Sequence, residues 1–324
     1  MGNIRNRPCC YSIRFAHIQR GRQQHRRKPL SIIEKEGLIL SGQNGRYAVE
    51  SDGNIIYCRS GTRVRKNDGK ILAGDKVIFR DNGDGNGFIT SIRERTNSLV
   101  RPPVANIDLL AMVVAPKDPA PYLYNIDLLT VIAEKNNIQC AIFISKSDLA
   151  DCDEIREIYK KTPFSVIETS SKDKIGVDAA KELLHGKICV LCGASGVGKS
   201  TLINSLYPQL RLKTGSLSEK IARGKNTTRT TELFSLGDGT YLADTPGFTA
   251  VNTELYCTIE HKELHTLFPE FAEHTYKCRY ADCTHTKETD CGIAEAVVKG
   301  EIAESRHESY KKLYFELKSI DRYK

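Results

Sequence analysis

The chain of 324 residues is 40% hydrophobic and 27% charged, with a formal net charge of +8. This length suffices for two or three domains, each with its own core. Its longest apolar runs, such as LLAMVVA at 109–115, are far shorter than a membrane span, which excludes a protein built on membrane helices.

The excess positive charge lies at the N-terminus. Residues 1–30 hold seven Arg and one Lys without any Asp or Glu, so the remaining chain carries as many basic as acidic residues. We expect this basic tail to be disordered. It is typical of a phosphate-binding arm, of a transit peptide or of a stretch upstream of a misplaced start, and whether it is genuine stays open.

Residues 34–97 predict a small β-barrel. Short apolar or alternating stretches are separated by Asn-Gly and Asp-Gly turn signals. The simplest arrangement is an OB-fold, with a β-sandwich or an SH3-like barrel as alternatives. The basic loop at 58–70 suits contacts with phosphates, but a loop that is simply solvated is an equal alternative. The stretch at 97–106 has two prolines and no periodicity, so we interpret it as a linker. The predicted strands are 37–40, 46–51, 54–60, 76–80 and 87–95.

Residues 98–252 predict an α/β domain. Apolar stretches alternate with helical ones, which indicates an open parallel sheet covered by helices on both faces. The predicted strands are 107–115, 138–144, 164–168 and 187–192, and the predicted helices are 123–136, 153–161, 177–185 and 199–206.

A phosphate cradle follows the strand KICVLC. GASGVGKS at 193–200 matches the P-loop pattern fully and opens a helix, as that motif requires. Lys199 is expected to reach the β- and γ-phosphates and to act in catalysis, and the hydroxyl of Ser200 to bind Mg²⁺. The predicted nucleotide-binding residues here are Gly193, Ala194, Ser195, Gly196, Val197, Gly198, Lys199, Ser200 and Thr201.

A guanine reader lies upstream of the cradle. In ordinary GTPases an N-K-x-D element follows the cradle, but here S-K-S-D at 145–148 ends an apolar strand well before it. Asp148 can accept two hydrogen bonds from the edge of guanine, a pairing that adenine does not offer. Alone this motif is a weak signal, and its value comes from the order of the parts. The predicted base-binding residues are Ser145, Lys146, Ser147 and Asp148, and in a second loop Ser170, Ser171 and Lys172.

Downstream of the cradle lie two segments that sense the γ-phosphate. Asp244 and Gly247 belong to a D-x-P-G motif and are expected to hold Mg²⁺ and to contact the γ-phosphate. Thr227 or Thr228 would complete the Mg²⁺ shell; we favour Thr228, although spacing does not decide between them. The order of parts is that of a GTPase cut and rejoined, so the sequence predicts a circularly permuted domain whose parts meet at the carboxyl edge of one sheet.

Residues 253–324 read as helical around a Cys/His cluster. Cys278, Cys283, His285 and Cys291 form a C-x₄-C-x-H-x₅-C pattern that suits one closed, structural Zn²⁺ site. His261 and His265 lack the Glu spacing of a metalloprotease and are interpreted as a solvated helix face. The other cysteines show no such spacing and are interpreted as reduced thiols of a cytoplasmic protein.

Together these motifs resemble the bacterial ribosome small-subunit-dependent GTPase A (RsgA) family. The resemblance runs from about residue 34 to the end and includes GASGVGKS, RGKNTTRTTEL at 223–233, ADTPGF at 243–248 and the cysteine pattern. It implies binding of the small (30S) ribosomal subunit and its 16S rRNA late in maturation, and slow GTP hydrolysis that the subunit stimulates.

One departure concerns catalysis. The family usually carries a His before the paired threonines, where this chain has Asn226, and Asn cannot take a proton near neutral pH. Phe248 follows the D-x-P-G motif, where Ras-like enzymes place a water-orienting Gln, so no general base is evident. We therefore expect a monomeric, cytoplasmic GTPase that uses GTP/GDP with Mg²⁺ and has no membrane partner. The alternative is a GTP-gated rRNA-binding factor with little or no hydrolysis.

Overall fold

The computed structural model describes residues 34–62, 64, 69–210, 231–243 and 258–321. The basic tail at 1–30 and most of the basic loop after Thr62 lie outside these residues. So do the predicted site residues Asn226, Thr227, Thr228, Asp244 and Gly247. Within the described part, no helix combines the length and the apolar character that a bilayer span needs.

Five strands form a closed barrel in the order β1-β2-β3-β5-β4. The OB-like barrel predicted from sequence is confirmed, because β3 and β5 pair in parallel and close it. Both residues of the turns Asn44-Gly45 and Asp52-Gly53 have positive φ, as two-residue type I′ hairpins require. Alternate side chains, among them Val49, Cys58 and Phe79, fill the interior. The strands are β1 (Glu34–Gln43), β2 (Arg46–Ser51), β3 (Asn54–Ser60), β4 (Lys76–Asp81) and β5 (Asn86–Ile92).

The stretch predicted to be a linker is a folded joint. Two short strands, β6 (Ser98–Leu99) and β7 (Val104–Ala105), pair with each other. The amide of Ala105 donates to the carbonyl of Ala73 at 2.9 Å, and the side chain of Asn106 donates to the carbonyl of Gly74 at 2.8 Å. Two-residue strands leave no periodic pattern, so the sequence could not indicate this attachment to the barrel.

The second domain is a six-stranded sheet with the order β10-β9-β8-β11-β13-β12, in which only β12 is antiparallel to its neighbour. Its strands are β8 (Leu109–Val114), β9 (Gln139–Ser145), β10 (Ser165–Thr169), β11 (Ile188–Cys192), β12 (Leu233–Gly237) and β13 (Thr240–Ala243), and its helices are α1 (Leu123–Lys135), α2 (Asp153–Tyr159), α3 (Val177–Leu184) and α4 (Lys199–Leu206). The predicted α/β alternation is confirmed.

Strand β8 shows why this region folds as a layered domain. All six of its residues are buried. Alternate side chains such as Met112 enter a core shared with α1 and α2, whereas the intervening ones, such as Ala111, enter a core shared with α3 and α4. A continuous apolar run is what a central parallel strand with two covered faces requires.

The C-terminal module packs against α1. It contains short 3₁₀ turns and two helices, α5 (Gly292–Val298) and α6 (Glu304–Asp321). The guanidinium of Arg306 is fully buried and bonds to Asp127 of α1 and, through two nitrogens, to Glu270. It also lies 4.6 Å from the ring centroid of Phe268. The buried Arg306–Asp127 ion pair thus fastens the module to the nucleotide domain.

Candidate functional site

The predicted phosphate cradle is the short loop between β11 and α4. Gly193 has φ 139°, and a Cβ placed there would lie 2.2 Å from the carbonyl oxygen of Val113. Only glycine therefore allows the chain to leave β11 so close to β8. Gly198 is in the left-handed region with φ 95°, and its carbonyl accepts the first helical bond from the amide of Leu202 at 2.8 Å.

Lys199 begins α4 and folds back over this loop. Its Nζ donates to the carbonyl oxygens of Gly193 at 2.6 Å and Ala194 at 2.8 Å. Burial lowers the pKa of the Lys199 ammonium from its usual value, because a desolvated cation lacks the stabilisation that water provides. The cation is therefore held against the loop that is predicted to wrap the phosphates.

Ser145, at the end of β9, joins the guanine reader to the cradle. Its buried hydroxyl donates to the carbonyl oxygen of Val197 at 2.5 Å and lies 3.0 Å from that of Val114. The next residue, Lys146, has φ 58°, and its Nζ donates to the carbonyl of Asp118 at 2.6 Å. Fifty-two residues of chain separate Ser145 from Val197, yet the fold places them in contact.

The two predicted base loops also touch each other. The hydroxyl of Ser170 donates to Oδ1 of Asp148 at 2.9 Å, and the amide of Ser147 donates to the carbonyl of Thr169 at 3.3 Å. The amide of Asp173 donates back to the Ser170 hydroxyl at 3.1 Å, which fixes the second loop. Asp148 is therefore an exposed carboxylate with a set orientation, as base recognition requires. Ser171 and Lys172 follow Ser170 in this same loop.

Strand β13 ends at the last described residue before the D-x-P-G segment. Ala243 ends β13 and pairs in parallel with Val190 of β11, the strand that leads into the cradle. Asp244 itself, like the predicted switch threonines, lies outside the described residues. The fold and the site define a P-loop GTPase domain in circularly permuted order, with the predicted guanine reader at the end of β9 ahead of the cradle after β11.

Comparisons with known proteins identify the family. A model of the RsgA GTPase family matches residues 92–254, and a model of the RsgA N-terminal domain matches residues 36–89. The small ribosomal subunit biogenesis GTPase RsgA of Thermotoga maritima is 39% identical over 88% of this chain and 97% of its own length. The protein of that name from Geobacillus kaustophilus is 39% identical over 87% and 97%.

Solved structures agree with these matches. The crystal structure of YjeQ from Thermotoga maritima has a TM-score of 0.75 at 37% identity and covers 88% of this chain and 99% of its own. YloQ, described as a circularly permuted GTPase, has a TM-score of 0.71 at 29% identity, covering 92% and 98%. The chain belongs to the RsgA GTPase family. It is a GTP-hydrolysing enzyme, and this family implies a guanine nucleotide with Mg²⁺.

A second site lies in the C-terminal module. The ligand atoms of Cys278, Cys283, His285 and Cys291 all lie within 4.8 Å of one another. Nδ1 of His285 is 3.5 Å from the sulfurs of Cys278 and Cys291, which are 4.0 Å apart. A tetrahedron with Zn–S bonds near 2.3 Å has edges of about 3.8 Å, so the four residues fit a zinc ion.

Hydrogen bonds shape the loop that carries these ligands. The amide of Gly292 donates to Sγ of Cys278 at 3.3 Å, and Nε2 of His307 lies 2.7 Å from the carbonyl of His285. Burial lowers the pKa of His285 to about 4, which keeps its ring neutral, the form that binds metals. Such outer contacts orient ligands and fix their geometry.

The structure corrects part of the interpretation of His261 and His265: both side chains are half-buried, and they do not share a helix face. The ring of His265 lies 5.7 Å from that of His285, and the ring of His261 packs edge-on against Tyr314 at 5.4 Å. The turn around them is a 3₁₀ segment, Leu264–Leu267, and not a long helix. His265 therefore lies beside the Cys/His cluster, whereas His261 packs against α6.

Proposed function

We propose that the chain binds the small (30S) ribosomal subunit, assists its late maturation and hydrolyses GTP slowly, at a rate that the subunit raises. The support is the family membership together with the names of relatives that share nearly their full length with this chain. The observation that supports the nucleotide part is the hydrogen bond from Ser145 to Val197, because it joins the end of β9 to the cradle loop.

The roles of the residues follow from their chemistry. Asp148 would accept the guanine N–H donors, Lys146 would lie over the base, and Ser145, Ser147 and the loop Ser170–Lys172 would shape the pocket. The backbone amides of residues 193–201 and Lys199 would hold the phosphates, with Ser200, Asp244 and Thr228 as the side chains that hold the Mg²⁺. When bound, Mg²⁺ neutralises charge on the phosphates, so catalysis rests on positioning and electrostatics.

The attacking water lacks an evident proton acceptor in this chain. Asn226 can orient a water molecule through hydrogen bonds but cannot deprotonate it. The free enzyme is therefore slow, and a group positioned by the ribosome completes the site. Asn226 also supports the second candidate, a GTP-gated rRNA-binding factor that barely hydrolyses its ligand.

The barrel and the C-terminal module would attach the protein to the ribosomal subunit. Cys278, Cys283, His285 and Cys291 would hold one structural Zn²⁺, since four protein ligands leave no open position for catalysis. The barrel and the C-terminal module would contact 16S rRNA. The protein would act in the cytoplasm as a monomer, because reader and cradle come from one chain.

Cosedimentation and turnover test this proposal together. Purified protein is mixed with small or large ribosomal subunits in the presence of GDP or a non-hydrolysable GTP analogue, and phosphate release from GTP is followed in parallel. We expect binding to small subunits that is stronger with the GTP analogue, and turnover that rises when they are added. Equal binding in both nucleotide states, or no selectivity for the small subunit, would refute it; nucleotide-dependent binding without phosphate release would favour the second candidate.

A further inference from the structure

The hydroxyl of Ser145 finds its hydrogen-bond partners in the protein backbone. A serine hydroxyl carries one hydrogen, and two carbonyl oxygens share it here: that of Val197 at 2.5 Å and that of Val114 at 3.0 Å. The residue is buried at the end of β9. Ser145 therefore holds the strand end against the cradle loop and has no proton left for a nucleotide.

An asparagine at this position would behave differently. Its amide carries two N–H donors on a longer side chain, so one can bond to a backbone carbonyl while the other reaches a ligand. This chain has S-K-S-D where ordinary GTPases have N-K-x-D. The replacement thus removes one hydrogen-bond donor from the place where the base is proposed to bind.

Guanine presents two kinds of polar atom in the plane of its rings. N1–H and N2–H₂ are donors and suit the carboxylate of Asp148, whereas O6 and N7 are acceptors and need donors. The second base loop offers such donors, because the amides of Ser171 and Lys172 have no hydrogen-bond partner among the described residues. O6 is the acceptor next to N1–H, so these amides suit O6 when Asp148 binds the neighbouring edge.

The three side chains ahead of Asp148 do not supply a donor to N7. The proton of Ser145 is used by the backbone, and the hydroxyl oxygen of Ser147 is buried from solvent, so a ligand does not reach it. The ammonium of Lys146 donates to the carbonyl of Asp118 at 2.6 Å. A lysine that lies over the base does not meet N7 either, because the lone pair of N7 lies in the plane of the ring.

We propose that this reader recognises guanine through its six-membered ring alone and leaves N7 unbound, with Ser145 as the residue that relaxes specificity at this atom. The chain then accepts guanine nucleotides altered at position 7 as readily as GDP and GTP. The inference rests on the nucleotide site proposed above and states which half of the base that site reads.

Nucleotides that differ from GDP by one group test the proposal on the wild-type protein. In 7-deaza-GDP a C–H replaces N7 while the edge facing Asp148 is kept, and IDP lacks only the 2-amino group. Competition against fluorescent GDP gives each affinity. We expect 7-deaza-GDP to bind within about twofold of GDP, and IDP to bind about 10- to 100-fold more weakly because it loses a bond to a charged acceptor. A larger loss with 7-deaza-GDP would overturn the proposal.

Substitution of Ser145 tests the assignment to this residue. Ser145→Asn restores a donor and should make GDP bind about 3- to 10-fold more tightly than 7-deaza-GDP, the usual range for one neutral hydrogen bond. Ser145→Ala removes only the backbone contacts, so it should weaken both nucleotides equally. Ser235→Asn, at an exposed serine of β12, is the matched control and should change neither affinity. Equal affinities in a Ser145→Asn protein that binds GDP would contradict the assignment, and if that variant does not fold, the wild-type comparison still decides.

The same titrations separate this inference from the site on which it rests. If IDP binds as tightly as GDP, Asp148 does not read the N1 and N2 edge, and the proposed nucleotide site fails. If both IDP and 7-deaza-GDP bind weakly, the site stands and the inference about N7 is wrong. Weak binding of IDP together with full binding of 7-deaza-GDP supports both.

Discussion

Arg306 and Asp127, which are 179 residues apart in the chain, form an ion pair of 2.9 Å in which neither side chain is more than 1% exposed. The second oxygen of Asp127 is buried without a hydrogen-bond partner, and Tyr159 donates to the first at 2.8 Å. Burial by itself lowers the pKa of Arg306, but Glu270 and Asp127 raise it above its usual value. The guanidinium therefore stays charged at every pH at which the protein folds.

Removal of this cation should destabilise the protein strongly. Arg306→Met would leave the carboxylates of Asp127 and Glu270 buried without compensation, at a cost of about 3–5 kcal/mol in the free energy of unfolding. Arg279→Met is the matched control: Arg279 also pairs with an aspartate, Asp290, at 2.9 Å, but both side chains are exposed. That change should cost less than about 1 kcal/mol.

Denaturant unfolding of both variants measures the difference. Adding Asp127→Asn and Glu270→Gln to Arg306→Met should recover part of the lost free energy of unfolding, because the triple variant has no uncompensated buried charge. Equal stability of the two single variants would show that the buried pair does not hold the module to the nucleotide domain.

Base selectivity should depend on Asp148. Asp148→Asn replaces an acceptor by a donor, which removes two charge-assisted hydrogen bonds and should weaken GDP binding by about 100-fold or more. Xanthine carries a carbonyl where guanine has its amino group, so affinity for XDP should rise. Competition titrations with fluorescent GDP give both constants. Asp178→Asn, at an exposed site in α3, should alter neither, and unchanged GDP affinity in the Asp148 variant would move the base reader elsewhere.

Hydrolysis by the free enzyme should respond to Asn226. Asn226→His introduces a proton acceptor and should raise kcat toward about 100-fold, with a rate that increases as pH rises through the imidazole pKa near 6.5. Single-turnover phosphate release between acidic and mildly alkaline pH measures this effect. The wild type should show no such step, and rapid turnover by the free wild-type enzyme would sink the assignment of Asn226.

Zinc binding should depend on the Cys/His cluster. Atomic absorption on purified protein should find one zinc per chain, and Cys291→Ala should lose it together with the ordered loop around His285, because zinc binding supplies folding energy. Cys189→Ala is the control, since that thiol is free and buried outside the cluster. Retention of zinc by the Cys291 variant would rule out this ligand set.

Much of the architecture could be predicted from the sequence. Strand β8 reads as an uninterrupted apolar run because both of its faces are covered, and the hairpin turns are announced by Asn44-Gly45 and Asp52-Gly53. The phosphate cradle could be predicted from its sequence motif alone. Ser145 could be predicted as part of the base reader only from the order of the motifs, and that role stays a prediction. Its hydroxyl bond to Val197 shows that the end of β9 contacts the backbone of the cradle loop.

Long-range polar contacts could not be predicted. Arg306 sits in a stretch rich in charged residues that reads as a solvated helix, and its partners Asp127 and Glu270 are distant in sequence. The outward position of Phe88, which is 44% exposed on β5, likewise depends on barrel closure, because a strand shows which residues share a face but not which face meets solvent. Both features arise from tertiary structure.

The contact between α6 and α1 also bears on synthesis of the protein. Helix α1 emerges from the ribosome well before the residues of α6 that cover it, which lie more than 160 residues further along the chain. A chain that stops before Arg306 would leave a charged aspartate and an apolar helix face uncovered. Products that terminate before α6 would therefore be substrates for proteolysis, because residues of α6 belong to the same core as α1.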